Sequence, residues 1–545
     1  MKSEERYKKW LRGTEKSVAD HSLLLDMTER EKDEAFRSEL TFGTGGIRGK
    51  LGMGTSCMNR YTVGRITFGV ADYFSAKPCS GIAIAYDSRH KSREFARLAA
   101  GILSSKGIEV IVFDDVLPTP VLSFAVRNLK LSGGIVITAS HNPKEYNGYK
   151  VYNEKGCQIT DNAAKEIAGE IEKHDYFEQF IPCENKVHNC GNEGIISGFI
   201  EAVMKFSIPV KAEFLPKVIY SPLNGTGGLA VKLLFRRMGM ERYAVVREQE
   251  YPNGDFTTCP YPNPEDSAAY SKAMLLAEKS GAEMILLTDP DADRVGVAVR
   301  EEKAGKYKIL SGNETGVLLE NFILAEKKRQ GKLSSASYIV KTIVTTPLAD
   351  RIAENYGVKA VNVLTGFKYI GETIDRLGGS GFVFGMEESC GYLVGDHVRD
   401  KDSISAILAI LQMAAYYKKR GETLLGALNV LYEKFGYSVS ELQSRTIEGE
   451  EGQKRIQALM RSVRDKIPES ICGEQIQEVK DYLRQTEQPP SDVVEYRGEN
   501  FAMIFRPSGT EPKIKVYITV SGSTPVEAKT RMEKFSAFAA EIIKQ

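Results

Sequence analysis

A chain of 545 residues is longer than one hydrophobic core ordinarily serves, so three or four domains are expected. The composition, 42% hydrophobic and 27% charged, is that of a soluble globular protein, and the net charge of +1 supplies no global field for nucleic acid or an acidic membrane. No nucleic-acid or membrane partner is therefore expected, and any anion must be bound by local groups.

The opening residues, MKSEERYKKWLRGTEKS, carry no apolar core and do not resemble a signal peptide. The longest apolar run, residues 404–417, is too short to span a bilayer, contains Gln412, and suits a buried helix. Eight cysteines without a CxxC pair argue against a zinc site or a disulfide framework, which makes a reduced cytoplasm the expected location.

Taken in chain order, the predicted elements form a pattern that recurs three times. Strand 80–89, helix 93–107, strand 108–116, helix 118–130 and strand 133–140 make the first βαβαβ run. Segments 217–222, 227–239, 242–246, 265–281 and 283–289 make the second. Segments 337–346, 347–357, 358–364, 366–378 and 381–389 make the third. The expected fold class is α/β, with three βαβαβ domains of mixed, mostly parallel sheet. After about residue 435 the texture changes to a helix at 450–466, a loop at 487–492 and a hairpin at 501–520, a smaller α+β domain. The expected divisions are 1–213, 214–310, 311–435 and 436–545. The last strands of the three runs end on Ser140, Asp289 and the Glu387–Ser389 stretch, and ligands of open α/β sheets bind beyond the carboxyl ends of strands.

Several motifs carry chemistry. In FGTGGIRGK (42–50) a phosphate loop would need Gly at 44 and Ser or Thr at 51, where Thr44 and Leu51 stand. Its glycines still permit close backbone approach, with Arg48 as a phosphate partner. TASHNP (138–143) ends a strand on Ser140, beside His141. Capping is the simpler reading, and an adjacent histidine is badly placed as a hydrolase-type base. NGTGGLA (224–230) matches a dinucleotide fingerprint but equally suits close strand–helix packing. TDPDADR (288–294) sets Asp289, Asp291 and Asp293 at alternate positions, where they repel unless a cation lies between them; hard oxygen ligands suit Mg²⁺. An EF-hand is excluded because Arg294 and Arg300 occupy the positions of its glycine and glutamate. Mg²⁺ keeps few protein ligands, so a phosphate is expected nearby. GMEESCGY (385–392) offers carboxylates and a hydroxyl for sugar hydroxyls, with Arg399 and Lys401 following. FRPSGTEPK (505–513) offers Arg506, Ser508, Gly509 and Thr510 as a phosphate clamp, or simply a hairpin tip.

TASHNP, DPDADR, GMEES and RPSGTEP, in that order, resemble the four active-site loops of the α-D-phosphohexomutases, the phosphoglucomutase/phosphomannomutase superfamily. FGTGGIRG, YDSRHKS, LPTP, NGTGG and LTGFK extend the resemblance over nearly the whole chain, toward the long phosphoglucomutase-2-like branch of bacterial phosphosugar mutases. The resemblance implies four domains around a central cleft and a phosphoserine mechanism. Ser140 would carry the phosphate and share Mg²⁺ with Asp289, Asp291 and Asp293. Glu387 and Ser389 would hold sugar hydroxyls, and Arg506, Ser508, Gly509 and Thr510 the nonreacting phosphate. Arg294 and Lys401 would face the substrate, and Thr365, Gly366 and Lys368 would belong to the sugar loop. Arg48, His141 and Lys150 are candidates for proton transfer and for stabilising the moving phosphoryl group. Related enzymes often carry a histidine after the sugar-binding Glu-x-Ser. Here Cys390, Gly391 and Tyr392 follow, with His397 nearby.

The implied reaction interconverts glucose 1-phosphate and glucose 6-phosphate, with glucose 1,6-bisphosphate as intermediate and activator, by a monomer or small homo-oligomer. Phosphomannomutase, phosphopentomutase and hexose 1,6-bisphosphate synthase remain open, as does a catalytically silent sugar-phosphate-binding protein. A NAD-dependent oxidoreductase would rest on NGTGGLA alone and leave the aspartates without a role.

Overall fold

A computed structural model describes residues 2–43, 45–301, 305–447, 450–484, 488–508 and 513–544. The chain divides into two compact units. One comprises Met1–Gly312, Phe367–Gly385 and Ser389–Arg420, and the other Asn313–Gly366, Met386–Glu388 and Gly421–Gln545.

In the first unit, three helices absent from the sequence reading, Ser3–Thr14, Val18–Leu25 and Glu29–Phe36, precede the first sheet. They are held by Trp10, fully buried, whose indole meets Phe36, Tyr61 and Phe177 edge-on at 5.3–5.6 Å. Each such pair adds about 0.5–1.5 kcal/mol beyond area burial.

The first sheet has six strands, in the order Ile47–Lys50, Tyr146–Asn153, Gly133–Ile137, Ile82–Tyr86, Val110–Phe113, Val187–Cys190. The last four are parallel, and the first two are added antiparallel. IAIAY and GGIVI are buried at every position, because helices such as Ser92–Ser105 and Thr119–Asn128 cross over between the strands and cover the sheet. The second sheet runs Tyr307–Leu310, Val295–Arg300, Met284–Thr288, Val218–Ser221, Tyr243–Val245, with a parallel half and an antiparallel half. Both sheets are thus mixed, as the alternating pattern implied. The apolar run at 404–417 falls in helix Ser403–Lys418, which is almost wholly buried, and Asp402 caps it through the Ile404 amide.

In the second unit, strands Tyr338–Thr342 and Lys359–Val363 are parallel neighbours joined through helix Leu348–Asn355. The C-terminal sheet is antiparallel throughout, in the order Tyr437–Thr446, Lys513–Gly522, Phe501–Pro507, Val494–Arg497, Glu478–Asp481. Helices Glu450–Asp465 and Pro525–Lys544 pack on it over a core that includes Met503, Phe505 and Val516. The architecture is therefore α/β with a C-terminal α+β part. Strand Tyr437–Thr446 was not read from the sequence; its outward positions are mostly polar.

Candidate active site

Strand Gly133–Ile137 delivers Ser140 three residues past its carboxyl end. Ser140 has φ 51°, a left-handed conformation that costs a non-glycine residue on the order of 1–3 kcal/mol and persists only where neighbours enforce it. The enforcement is visible. The Ser140 amide donates to Thr138 Oγ1 at 2.8 Å. Beneath the loop lies the Arg89 guanidinium, its side chain entirely buried. Arg89 Nη2 donates to the carbonyls of Ser140 (2.5 Å) and Asn142, and Nη1 to those of Pro143 (2.7 Å) and Tyr146 (3.2 Å). Asp87 Oδ2 lies 3.2 Å from Arg89 Nε, and the Phe256 ring covers the guanidinium at 5.0 Å. Burial pulls the Arg89 pKa down while Asp87 opposes the shift, and burial raises the Asp87 pKa against that same partner.

Strand Met284–Thr288 ends immediately before Asp289. The three aspartates offer oxygens within 4.8 Å of one another and are buried. Asp289 Oδ1 accepts the amides of Asp293 (3.1 Å) and Arg294 (3.0 Å), while its Oδ2 accepts the Ser140 hydroxyl at 2.8 Å. Asp291 Oδ2 accepts from Lys150 Nζ (2.8 Å) and Thr119 Oγ1 (3.1 Å). Lys401 Nζ lies 3.1 Å from Asp293 Oδ2. Ala292, at φ 53°, is held by a 2.5 Å hydrogen bond from Ser403 Oγ to its carbonyl.

The electrostatics follow from crowding. Burial, then the charges of Asp291 and Asp293, raise the Asp289 pKa far above the ordinary carboxylate value. Burial and Asp291 also raise Asp293. Burial acts the same way on Asp291, but Lys150 outweighs it and holds that carboxyl well below its usual range. A divalent cation fits this set. Asp291 Oδ1 and Asp293 Oδ1 are buried yet accept no hydrogen bond from the described residues, which is costly for carboxylate oxygens unless a cation meets them.

Cations ring the cluster. Burial opposes the charge on Lys150, but Asp291 and Asp293 raise its pKa and keep it an ammonium. Lys401 is braced by Asp400 Oδ1 at 3.2 Å, and Asp400 Oδ2 in turn accepts from Tyr152 and Gln158, both at 2.7 Å. Arg294 Nη1 donates to Glu265 Oε1 (2.7 Å) and to the Ser389 carbonyl (3.3 Å). Arg48, on strand Ile47–Lys50, donates to Asn142 Oδ1 at 3.0 Å, one residue from His141. His141 Nδ1 lies 3.2 Å from Ser140 Oγ, and its ring meets Tyr261 edge-on. Burial first, then Arg294 and Arg48, lower the His141 pKa well below its ordinary value, so the imidazole is neutral at physiological pH. The first unit thus brings together Ser140, His141, Lys150, Arg48, Asp289, Asp291, Asp293, Arg294, Ser389 and Lys401. Lys368 lies in the same unit, with its ammonium 3.5 Å from Asp161 Oδ1.

The remaining predicted residues belong to the second unit. The Gly366 amide donates to Glu387 Oε1 at 3.0 Å, which joins the sugar-loop segment to the Glu-x-Ser segment, and Thr365 precedes that amide. Arg506 sits on strand Phe501–Pro507 opposite Lys515, and Ser508 follows, its amide bonded to the Lys513 carbonyl at 2.7 Å. Gly509 and Thr510 lie outside the described residues.

Residues 39–178, 197–304 and 311–435 match the models of phosphoglucomutase/phosphomannomutase α/β/α domains I, II and III. The chain belongs to the phosphoglucomutase/phosphomannomutase family. It is accordingly a phosphosugar mutase. Relatives named phosphoglucomutase in Staphylococcus aureus strains MRSA252 and USA300 are 35% and 36% identical over 534 residues, 94% of this chain and 95% of theirs. Two solved structures share the fold. A phosphoglucomutase/phosphomannomutase family protein of Burkholderia thailandensis (18% identity, TM-score 0.69) matches over 92% of this chain and 97% of its own. Parafusin, a phosphoglucomutase of Paramecium (17% identity, TM-score 0.69), matches over 93% and 96%.

Several residues of this mutase site escaped the sequence reading. Arg89 and Thr119 stand within YDSRHKS and LPTP, segments noted for resemblance but given no role; Asp400 stands within DHVRDKD (396–402), read only for Arg399 and Lys401, and Tyr152 and Ser403 carried no motif. NGTGG, the dinucleotide look-alike, packs against the aspartate loop instead. A Cβ on Gly225 would come within 2.4 Å of Pro290 Cα, and one on Gly227 within 2.7 Å of Thr288 Oγ1. His397 takes a structural place: its Nε2 is 2.8 Å from Asp402 Oδ2, and Phe199 and Phe206 flank its ring. Among the described residues no helix is long and apolar enough to cross a membrane.

Proposed function

We propose that this mutase interconverts glucose 1-phosphate and glucose 6-phosphate through a phosphoserine at Ser140 and a glucose 1,6-bisphosphate intermediate. The observation that carries the reading is the placement of Ser140 Oγ 2.8 Å from Asp289 Oδ2, at the rim of a carboxylate cluster with two oxygens that accept no hydrogen bond from the described residues. The name phosphoglucomutase on relatives matching nearly the full length supports glucose as the sugar.

Mg²⁺ held by Asp289, Asp291, Asp293 and phosphorylated Ser140 would neutralise charge on the phosphoryl group in transit. In the forward half-reaction a sugar hydroxyl attacks the phosphoserine phosphorus, the bond to Ser140 Oγ breaks, the hydroxyl's proton ends on the freed Ser140 oxygen, and the bisphosphate forms. In the return half-reaction Ser140 Oγ attacks the other phosphate, the bond from that phosphorus to its sugar oxygen breaks, and the freed sugar oxygen takes up the proton that Ser140 gives up. The Ser140 proton is aimed at Asp289 Oδ2, with the neutral His141 Nδ1 as a second acceptor. Lys150, held cationic by its carboxylate neighbours, stabilises the developing charge, and Arg48 supports it from the loop edge. Arg294, Lys368, Lys401, Ser389, Thr365, Gly366 and Glu387 would orient the sugar, and Arg506, Ser508, Gly509 and Thr510 would grip the nonreacting phosphate. These roles go with four domains at 1–213, 214–310, 311–435 and 436–545, and with a monomer or small homo-oligomer. Eight cysteines without a CxxC pair suit a reducing cytoplasm.

A coupled assay with glucose 1-phosphate, mannose 1-phosphate and ribose 1-phosphate tests the substrate. The highest kcat/KM is expected for glucose 1-phosphate, and a clear preference for mannose or ribose would overturn that assignment. Full activity in a Ser140→Ala variant would overturn the phosphoserine mechanism.

A further inference from the structure

Thr119 makes two hydrogen bonds to Asp291, one from its hydroxyl and one from its backbone. Its Oγ1 donates to Asp291 Oδ2 at 3.1 Å, and its amide donates to the Asp291 carbonyl at 2.9 Å. It is fully buried and opens helix Thr119–Asn128 between Pro118 and Pro120, whose rings fix the backbone on either side. Lys150 supplies the other donor to Asp291 Oδ2, so that oxygen is doubly engaged while Oδ1, equally buried, accepts no hydrogen bond from the described residues. A carboxylate with one oxygen tied down twice has a fixed plane, and its bare oxygen points in one direction.

We propose that Thr119 is a positioning residue for the divalent cation: its hydroxyl holds Asp291 so that Oδ1 faces the metal. This inference rests on reading the aspartate cluster as the metal site, and it assigns LPTP a task beyond starting a helix. Outer hydrogen-bond partners of metal ligands typically contribute about 10–100-fold to metal affinity. A valine keeps the shape of threonine but cannot donate, whereas serine keeps the donor.

The test is Mn²⁺ binding to the purified full-length protein without substrate, followed by electron paramagnetic resonance and by calorimetry. Wild type and Thr119→Ser should bind alike, Thr119→Val at least about 10-fold more weakly. Equal affinity in wild type and a folded Thr119→Val would overturn the role of Thr119 while leaving the metal site intact. Absence of Mn²⁺ binding by wild type would overturn the metal reading and this inference with it. Should Thr119→Val fail to fold, Thr119→Ala takes its place under the same criteria. A loss of thermal stability with unchanged Mn²⁺ affinity would make the threonine a packing residue only.

Discussion

The Ser140 hydroxyl donates to Asp289 Oδ2 at 2.8 Å, across 149 residues of sequence. This bond joins the end of one βαβαβ sheet to the end of the next, and it places the Ser140 hydroxyl against the aspartate cluster. Removing the acceptor should be nearly as damaging as removing the donor. Asp289→Asn is expected to lower kcat by at least about 100-fold, the scale of one lost charge-stabilising group. It should leave the fold intact, because Asn still accepts the amides of Asp293 and Arg294. A kcat within a few-fold of wild type would contradict a role for Asp289 in the chemistry.

Lys150 neutralises Asp291 and Asp293 at 2.8 and 3.7 Å. Lys150→Met leaves these buried carboxylates short of positive charge, so kcat should fall with little change in KM, because charge develops in transfer rather than in substrate binding. A variant with raised KM and unchanged kcat would place Lys150 in ground-state binding instead.

Arg89 is held by the loop it holds. Arg89→Met leaves Asp87 buried without its partner and four carbonyls without donors, a loss on the order of 3–5 kcal/mol. Thermal unfolding should show a large drop in Tm. The double variant Asp87→Asn with Arg89→Met should recover part of the stability, but not activity, since the Ser140 loop still lacks its clamp. Additive losses in the double variant would show that the ion pair is not the stabilising element.

Glu320, on helix Gly312–Arg329, is buried with Asp350 and Lys341 near it. Burial first, then Asp350, raise its pKa well above 4.5, against the opposing pull of Lys341. The folded form therefore retains the proton, and the stability tied to it is complete below the unfolded value and is lost as pH rises through the folded one. Glu320→Gln should unfold at a higher temperature than wild type at neutral pH, and the gap should close toward pH 4.5. A gap independent of pH would mean that Glu320 is ionised in the native protein.

Much of the site was legible because its chemistry stands at strand ends. Alternating aspartates after an apolar strand give a buried carboxylate cluster, and a serine at a strand tip is brought against it. Arg89 was not legible: an arginine in YDSRHKS suits a solvated turn, and only the folded loop reveals four carbonyls converging on it. Thr119 likewise has the look of an ordinary helix start until Asp291, 172 residues away, meets it. The N-terminal helices were missed for a related reason. The first and third are rich in charge, the second is only eight residues long, and the apolar partners of Trp10, among them Tyr61 and Phe177, lie far along the chain.

The central claim is that Ser140 carries the phosphoryl group. It is tested most directly by incubating the purified mutase with glucose 1,6-bisphosphate and mapping phosphate by mass spectrometry of the intact protein and its peptides. One phosphoryl group on the peptide containing Ser140, absent from Ser140→Ala, is the expected result. Phosphate on a different residue, or none in an enzyme that still turns over glucose 1-phosphate, would contradict it.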